Sequence, residues 1–133
     1  MIFRFYIIFI SLGLFVKGYG QYEAYHKMSF EKDGKQMPYR MLLPKDYDAT
    51  KTYPLILVLH GSGERGNDNE LQLTHGASLF LKDTSRENFP AVVVFPQCAK
   101  NSSWATINVT GEWGNRIFNF YEKGEPTKDM IVL

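Results

Sequence analysis

The sequence predicts an α/β fold in which an antiparallel hairpin is followed by parallel strands with a crossover helix, the sheet being incomplete within these residues. Three observations predict it. Residues 22–43 alternate apolar and polar side chains around Asp33-Gly34, and Leu55-Ile56-Leu57-Val58-Leu59 is apolar at every position. About thirty residues later, enough for a right-handed crossover, Ala91-Val92-Val93-Val94-Phe95 repeats that character. Runs this short are too brief for a core helix and suit strands covered on both faces of a parallel sheet.

Composition narrows the class. The 133 residues are 44% hydrophobic and 22% charged, which fits one small globular domain and not a disordered chain. With 15 basic and 14 acidic residues, a net charge of +1 and no block of like charge, no nucleic-acid partner is expected. Residues 1–20 read as a secretory signal: Arg4 gives a positive start, Ile7 to Val16 an apolar centre, and Gly18-Tyr19-Gly20 small residues around a cleavage point. The apolar part is short for a bilayer and Lys17 interrupts it; the alternative is an uncleaved anchor. Cleavage after Gly20 makes 21–133 the mature part, secreted or periplasmic and without membrane attachment. The single cysteine, Cys98, has no partner for an internal disulfide.

Along the chain, His26, Met28 and Phe30 alternate with Lys27, Ser29 and Glu31, and after the turn Met37, Tyr39, Met41 and Leu43 alternate with Pro38, Arg40 and Leu42. This predicts a hairpin with one covered face. Lys45 to Thr52 is a polar loop, and Pro54 opens the organising strand where a missing N–H is tolerated. Gly61, Gly63 and Gly66 let the chain leave the strand's carboxyl end in a tight loop of exposed N–H groups, the place where α/β sheets bind ligands. Asn67, Asp68 and Asn69 are caps for a short helix carrying Glu70, Leu71 and Leu73, which Gly76 weakens. Pro96 is expected to end the second strand, and Gln97 to Gly124 reads as loop. Glu125-Pro126-Thr127 starts a helix, and the absence of a cap after Met130-Ile131-Val132-Leu133 reads as a cut within an element.

The succession YPLILVLHGSGERGNDNE, AVVVFPQC and a loop with Trp104 resembles the amino-terminal half of an α/β-hydrolase. The closer likeness is to secreted bacterial serine esterases known as predicted peptidases or phospholipase/carboxylesterase relatives, over roughly residues 24–133. His60-Gly61-Ser62-Gly63-Glu64-Arg65-Gly66, Asn67-Asp68-Asn69 and Pro96-Gln97-Cys98 carry it. The resemblance implies a serine nucleophile on a strand-to-helix elbow, with an acid and a histidine, and acyl transfer to water through an acyl-enzyme. It implies a small-molecule or polymer ester as substrate, and neither cofactor nor metal. One oxyanion donor would be the backbone N–H of Ser62, with Gly63 the alternative and His60 and Gly61 supporting. Arg65 and Trp104 would belong to the substrate pocket.

No serine carries the GxSxG elbow. Ser62 has His60 two residues before it, and Ser78 follows Gly76 but has Phe80 where glycine is needed. The nucleophile, the acid and the catalytic histidine are therefore expected beyond Leu133, and this chain alone is expected to be inactive. The resemblance also places a nucleophile strand beside the organising strand. Without that neighbour an apolar edge is open, so the isolated chain is expected to be poorly soluble.

Each remaining candidate has a plainer role. His60 is expected to brace the oxyanion loop rather than act as general base. His26 and His75 lack metal-ligand spacing, and Glu64 and Arg65 form either a bracing pair or a carboxylate site. Cys98 is a small packed thiol, and Trp104 and Trp113 line an acyl pocket or fill a local core. Asn101-Ser102-Ser103 and Asn108-Val109-Thr110 match the short glycosylation pattern. The alternative function is an extracellular ligand- or glycan-binding module using the aromatic loop 104–121.

Overall fold

The computed structural model describes residues 20–105 and 107–120. The signal segment before Gly20, Tyr121 of the aromatic loop and the helix expected from Glu125 lie outside the described residues.

The hairpin forms as the sequence predicts. Strands β1 (His26–Lys32) and β2 (Lys35–Leu42) pair antiparallel, with Lys32 opposite Lys35. The two residues between them, Asp33 (φ 53°) and Gly34 (φ 70°), are both left-handed, the combination a two-residue turn needs to match strand twist. Strands β3 (Leu55–Leu57) and β4 (Val92–Pro96) are parallel, Ile56 opposite Val93, and β4 runs antiparallel to β2, giving the order β1-β2-β4-β3. Pro96 is the last residue of β4, as expected, and stands opposite Tyr39; one further bond follows it, the Gln97 N–H donating to the Pro38 carbonyl at 2.8 Å.

The crossover between β3 and β4 is broken into short pieces, a 3-10 turn at Leu71–Leu73 followed by α1 (Ala77–Leu81) and α2 (Asp83–Asn88). Gly76 at φ 83° and extended backbone at Lys82 separate them, so no single helix forms. A larger departure follows Gln97, where the expected loop contains a second hairpin. Strands β5 (Ile107–Thr110) and β6 (Ile117–Phe120) pair antiparallel, Ile107 opposite Phe120, across a turn in which Gly111 (φ 87°) and Gly114 (φ 91°) supply the left-handed positions.

The core lies on one face of the four-stranded sheet. Leu42, Val93 and Phe95 are buried there with Leu73 and Ala77, and Ile56, Val58, Phe80 and Leu81 pack against them. Tyr25 closes the cluster, its ring edge-on to Phe95 at 5.5 Å and its hydroxyl donating to the Ala77 carbonyl at 2.9 Å. Burial drives the Tyr25 phenol well above its ordinary pKa. The opposite face departs from expectation: Leu55, Leu57 and Leu59 are 69%, 45% and 44% exposed, and Met28 and Phe30 are exposed as well. The organising strand is thus covered on one face by the described residues, not two. On β2 it is Arg40 and Leu42, opposite Phe95 and Val93, that face the core.

Candidate functional site

The loop after β3 begins where the parallel ladder ends. The Val58 N–H still donates to the Val94 carbonyl at 2.9 Å, after which the chain leaves the sheet and turns once as a 3-10 helix at Ser62–Glu64. Gly61 precedes the turn in extended conformation (φ −78°, ψ −178°). Neither Gly61 nor Gly63 is left-handed; what glycine allows at Gly61 and Gly66 is close packing, whereas Gly63 has open space around it. A Cβ on Gly61 would stand 3.0 Å from the Glu64 carboxylate, and one on Gly66 would stand 3.1 Å from the Gln97 amide nitrogen. Among the described residues, the N–H groups of Ser62 and Gly63 donate to no protein acceptor.

His60 ties three segments together. Its Nδ1–H donates to the Gly61 carbonyl at 2.6 Å, while Nε2 accepts the backbone N–H of Cys98 at 2.9 Å. That pairing fixes a neutral ring with its proton on Nδ1. The Trp104 indole N–H donates to the His60 carbonyl at 3.0 Å, and the two rings meet edge-on at 5.2 Å. From the other direction the Gly66 N–H donates to the Cys98 carbonyl at 2.9 Å. With both ring nitrogens engaged, the imidazole has no lone pair left with which to take a proton from a nucleophile.

The remainder of the loop is held from beneath by two side chains whose role the sequence did not reveal. Gln97 is buried; its Oε1 accepts the Asn69 N–H at 2.8 Å, and its Nε2 donates to the Glu64 carbonyl at 3.1 Å and to Asp68 Oδ1 at 3.0 Å. Asp68 Oδ1 also accepts the N–H groups of Glu70 at 2.7 Å and Leu71 at 2.9 Å. Burial pushes the Asp68 carboxyl up, but these donors outweigh it and hold the group below its ordinary pKa. Arg40, 5% exposed, donates to the carbonyls of Asn69 at 2.6 Å and Tyr25 at 2.8 Å and pairs with Glu70. Glu70 in turn pairs with Lys27.

Between this loop and the β5–β6 hairpin lies a cleft of ≈ 520 Å³. His60, Ser62, Arg65 and Trp104 form one side, and Arg116 and Phe118 come from the hairpin. The structure therefore gathers Ser62, Arg65, Trp104, His60 and Gly61 at one cleft, while Gly63 lies outside its walls. Glu64 and Arg65 do not pair with each other: Arg65 donates to the carbonyls of Ser62 at 3.1 Å and Ser102 at 2.9 Å, and Glu64 faces His75 at 3.4 Å. Trp113 is 90% exposed, with the Arg116 guanidinium 5.5 Å from its ring centre. His26 sits on the exposed β1 strand. Among the described residues no group of three His, Cys, Asp or Glu side chains is placed to hold a metal ion, and no helix is long and apolar enough to cross a membrane. The signal for the hairpin was present in the sequence, since Ile107-Asn108-Val109-Thr110 and Ile117-Phe118-Asn119-Phe120 flank a glycine-containing turn.

No protein-family model matches the chain, and no curated protein matches it. Among solved structures it is similar to the crystal structure of a thermostable esterase, with 38% identity and a TM-score of 0.60. The alignment covers 65% of this chain and 24% of the esterase, so the chain spans only a fraction of that protein's length. The mixed sheet with few helices and this similarity support a partial α/β, esterase-like fold and a relationship to ester hydrolases.

Proposed function

We propose that this chain is the amino-terminal, oxyanion-binding part of a secreted α/β-hydrolase serine esterase, residues 1–20 being a cleaved signal and the nucleophile, acid and catalytic histidine following Leu133. One observation carries the reading. At the carboxyl end of β3, a loop braced by both ring nitrogens of His60 leaves the N–H groups of Ser62 and Gly63 without an acceptor among the described residues, and Ser62 lines the cleft. The similarity to a thermostable esterase supports the same class.

In this reading an ester carbonyl enters the cleft and a serine hydroxyl from outside the chain attacks its carbon, giving up its proton to the catalytic histidine. The carbonyl oxygen gains the negative charge of the tetrahedral intermediate, which the Ser62 N–H, or alternatively that of Gly63, stabilises. Collapse expels the alcohol, protonated by the histidine, and water then releases the acid from the acyl-enzyme. His60 acts only as the brace that holds the amides in place.

The test is labelling of the full polypeptide with a fluorophosphonate. The expected product carries the label on one serine outside residues 1–133, and residues 21–133 alone neither label nor cleave short acyl esters. Labelling of Ser62, or no labelling of the full polypeptide, contradicts the reading. A folded 21–133 that binds a glycan or other ligand without hydrolysis favours the binding-module alternative, to which exposed Trp113 would contribute.

A further inference from the structure

The charges around the cleft are one-sided. Arg65 and Arg116 both line it, one from the β3 loop and one from the second hairpin, and among the described residues no Asp or Glu does. Among the described residues neither arginine takes part in an ion pair. Arg65 is half-buried and fixed, because Nε and Nη1 are spent on the Ser62 and Ser102 carbonyls. Those neutral partners leave its positive charge uncompensated. Arg116 is steadied on the Trp113 ring, an interaction that positions a guanidinium without neutralising it. In the same lining Trp104 and Phe118 offer apolar surface. Two uncompensated guanidiniums beside an apolar wall recognise an anion on a short hydrophobic spacer, and guanidinium geometry favours a carboxylate.

Resting on the esterase reading above, we propose that the cleft selects esters bearing a free carboxylate, such as monoesters of dicarboxylic acids. The carboxylate binds at Arg65 and Arg116, the spacer packs on Trp104 and Phe118, and the ester carbonyl reaches Ser62. Arg116 is the specificity-determining residue, since Arg65 also braces the loop.

Two measurements on the full polypeptide test this. The first compares kcat/KM for an aryl hemisuccinate and the matching aryl butyrate, which differ in the terminal carboxylate. The hemisuccinate is expected to be preferred, the preference shrinking about 3- to 10-fold in Arg116→Gln, as expected for a partly exposed charged contact. Arg116→Lys is expected to retain more of the preference than Arg116→Gln, and added salt is expected to weaken it. The second follows the arginine Nε–H resonances by NMR during titration with phenylacetate and with phenylacetamide. Arg65 and Arg116 are expected to shift with phenylacetate at lower concentration than with the amide. Equal responses to acid and amide, or a hemisuccinate preference unaltered by Arg116→Gln, overturn the proposal and leave the esterase reading standing. Selective phenylacetate binding without cleavage of any ester upholds the anion site and removes the esterase reading.

Discussion

Replacing Ser62 with proline isolates the backbone amide on which the proposed chemistry depends. Proline removes the N–H and leaves a carbonyl, and the local geometry accepts it. Gly61 before it is extended (φ −78°, ψ −178°), the conformation required of a residue preceding proline, and Ser62 is the first residue of its 3-10 turn, where a fixed φ near the helical value is tolerated. No internal hydrogen bond from that N–H is lost among the described residues. The folding penalty should therefore stay below about 1 kcal/mol. The same substitution at Gly63 would be uninformative, because Ser62 is within the turn and a residue before proline is driven out of helical backbone. Loss of one oxyanion donor costs about 3 to 4 kcal/mol of transition-state stabilisation, roughly 100- to 1000-fold in kcat. The assay is ester hydrolysis by the full polypeptide, with thermal melting alongside. Ser62→Ala, which keeps the N–H, separates amide from hydroxyl. If Ser62→Pro melts normally and retains kcat within about 3-fold, a loss too small for an oxyanion donor, the amide is not the donor. An equal loss in Ser62→Ala would transfer the effect to the hydroxyl.

Three further outcomes follow from the loop's supports and from the open sheet face. Arg40→Met should destabilise the fold by about 3 kcal/mol, read by denaturant titration, because the carbonyls of Asn69 and Tyr25 lose their donor together; a change under about 1 kcal/mol, the size of one ordinary hydrogen bond, would show that Arg40 is not a support. Asp68 has a folded pKa below its ordinary value, so its stabilisation is present above about pH 4, the unfolded carboxyl range, and is lost as pH falls through the lower folded value. Trp104 fluorescence should report loop release at acidic pH in the native sequence and a flatter acid limb in Asp68→Asn; identical acid limbs would dismiss Asp68 as the sensitive group. Leu57→Lys, on the exposed face, should raise the soluble yield of residues 21–133, whereas Ile56→Lys, packed on the core, should prevent folding; equal yields from both would contradict the assigned facing of β3.

What the sequence made legible, and what it hid, has a common physical cause. The first hairpin was readable because Asp33-Gly34 demands two left-handed residues and fixes the register from Lys32 and Lys35 outward. The parallel pair was readable because continuous apolar runs of strand length have few other uses. The facing of β2 was not. Alternation there set Met37, Tyr39 and Met41 on one side and Arg40 and Leu42 on the other, but both faces of β3 and β4 are apolar, so pattern alone cannot say which face the crossover helices will cover. The register settles it: Leu42 stands opposite Val93, and Val93 opposite Ile56, and Leu73 and Ala77 close over that row. Arg40 is carried to the same face, opposite Phe95, where a charged group survives only because the loop after Gly66 supplies the Asn69 carbonyl and the Glu70 carboxylate and the residue before β1, Tyr25, supplies a second carbonyl. A residue that looked like solvent-facing polarity is thus a support for the segment bearing the candidate site.

The same reasoning explains why the site was half visible. Local signals marked the loop, since a glycine-rich exit from a buried strand is written in consecutive residues. Its bracing is non-local: His60 meets Cys98 and Trp104 only after the chain has crossed over and returned along β4, and Gln97 meets Asn69 and Asp68 by the same return. The far wall of the cleft depends on the second hairpin, whose signal is present but weak, because its strands are only four residues long and lie among glycine and asparagine. Arg116 consequently reads in sequence as a surface cation in a loop, and only the pairing of Thr110 with Ile117 brings it to the cleft that Arg65 also lines. A cleft built from one local loop and one distant hairpin shows its loop in the sequence and its far wall only in the fold.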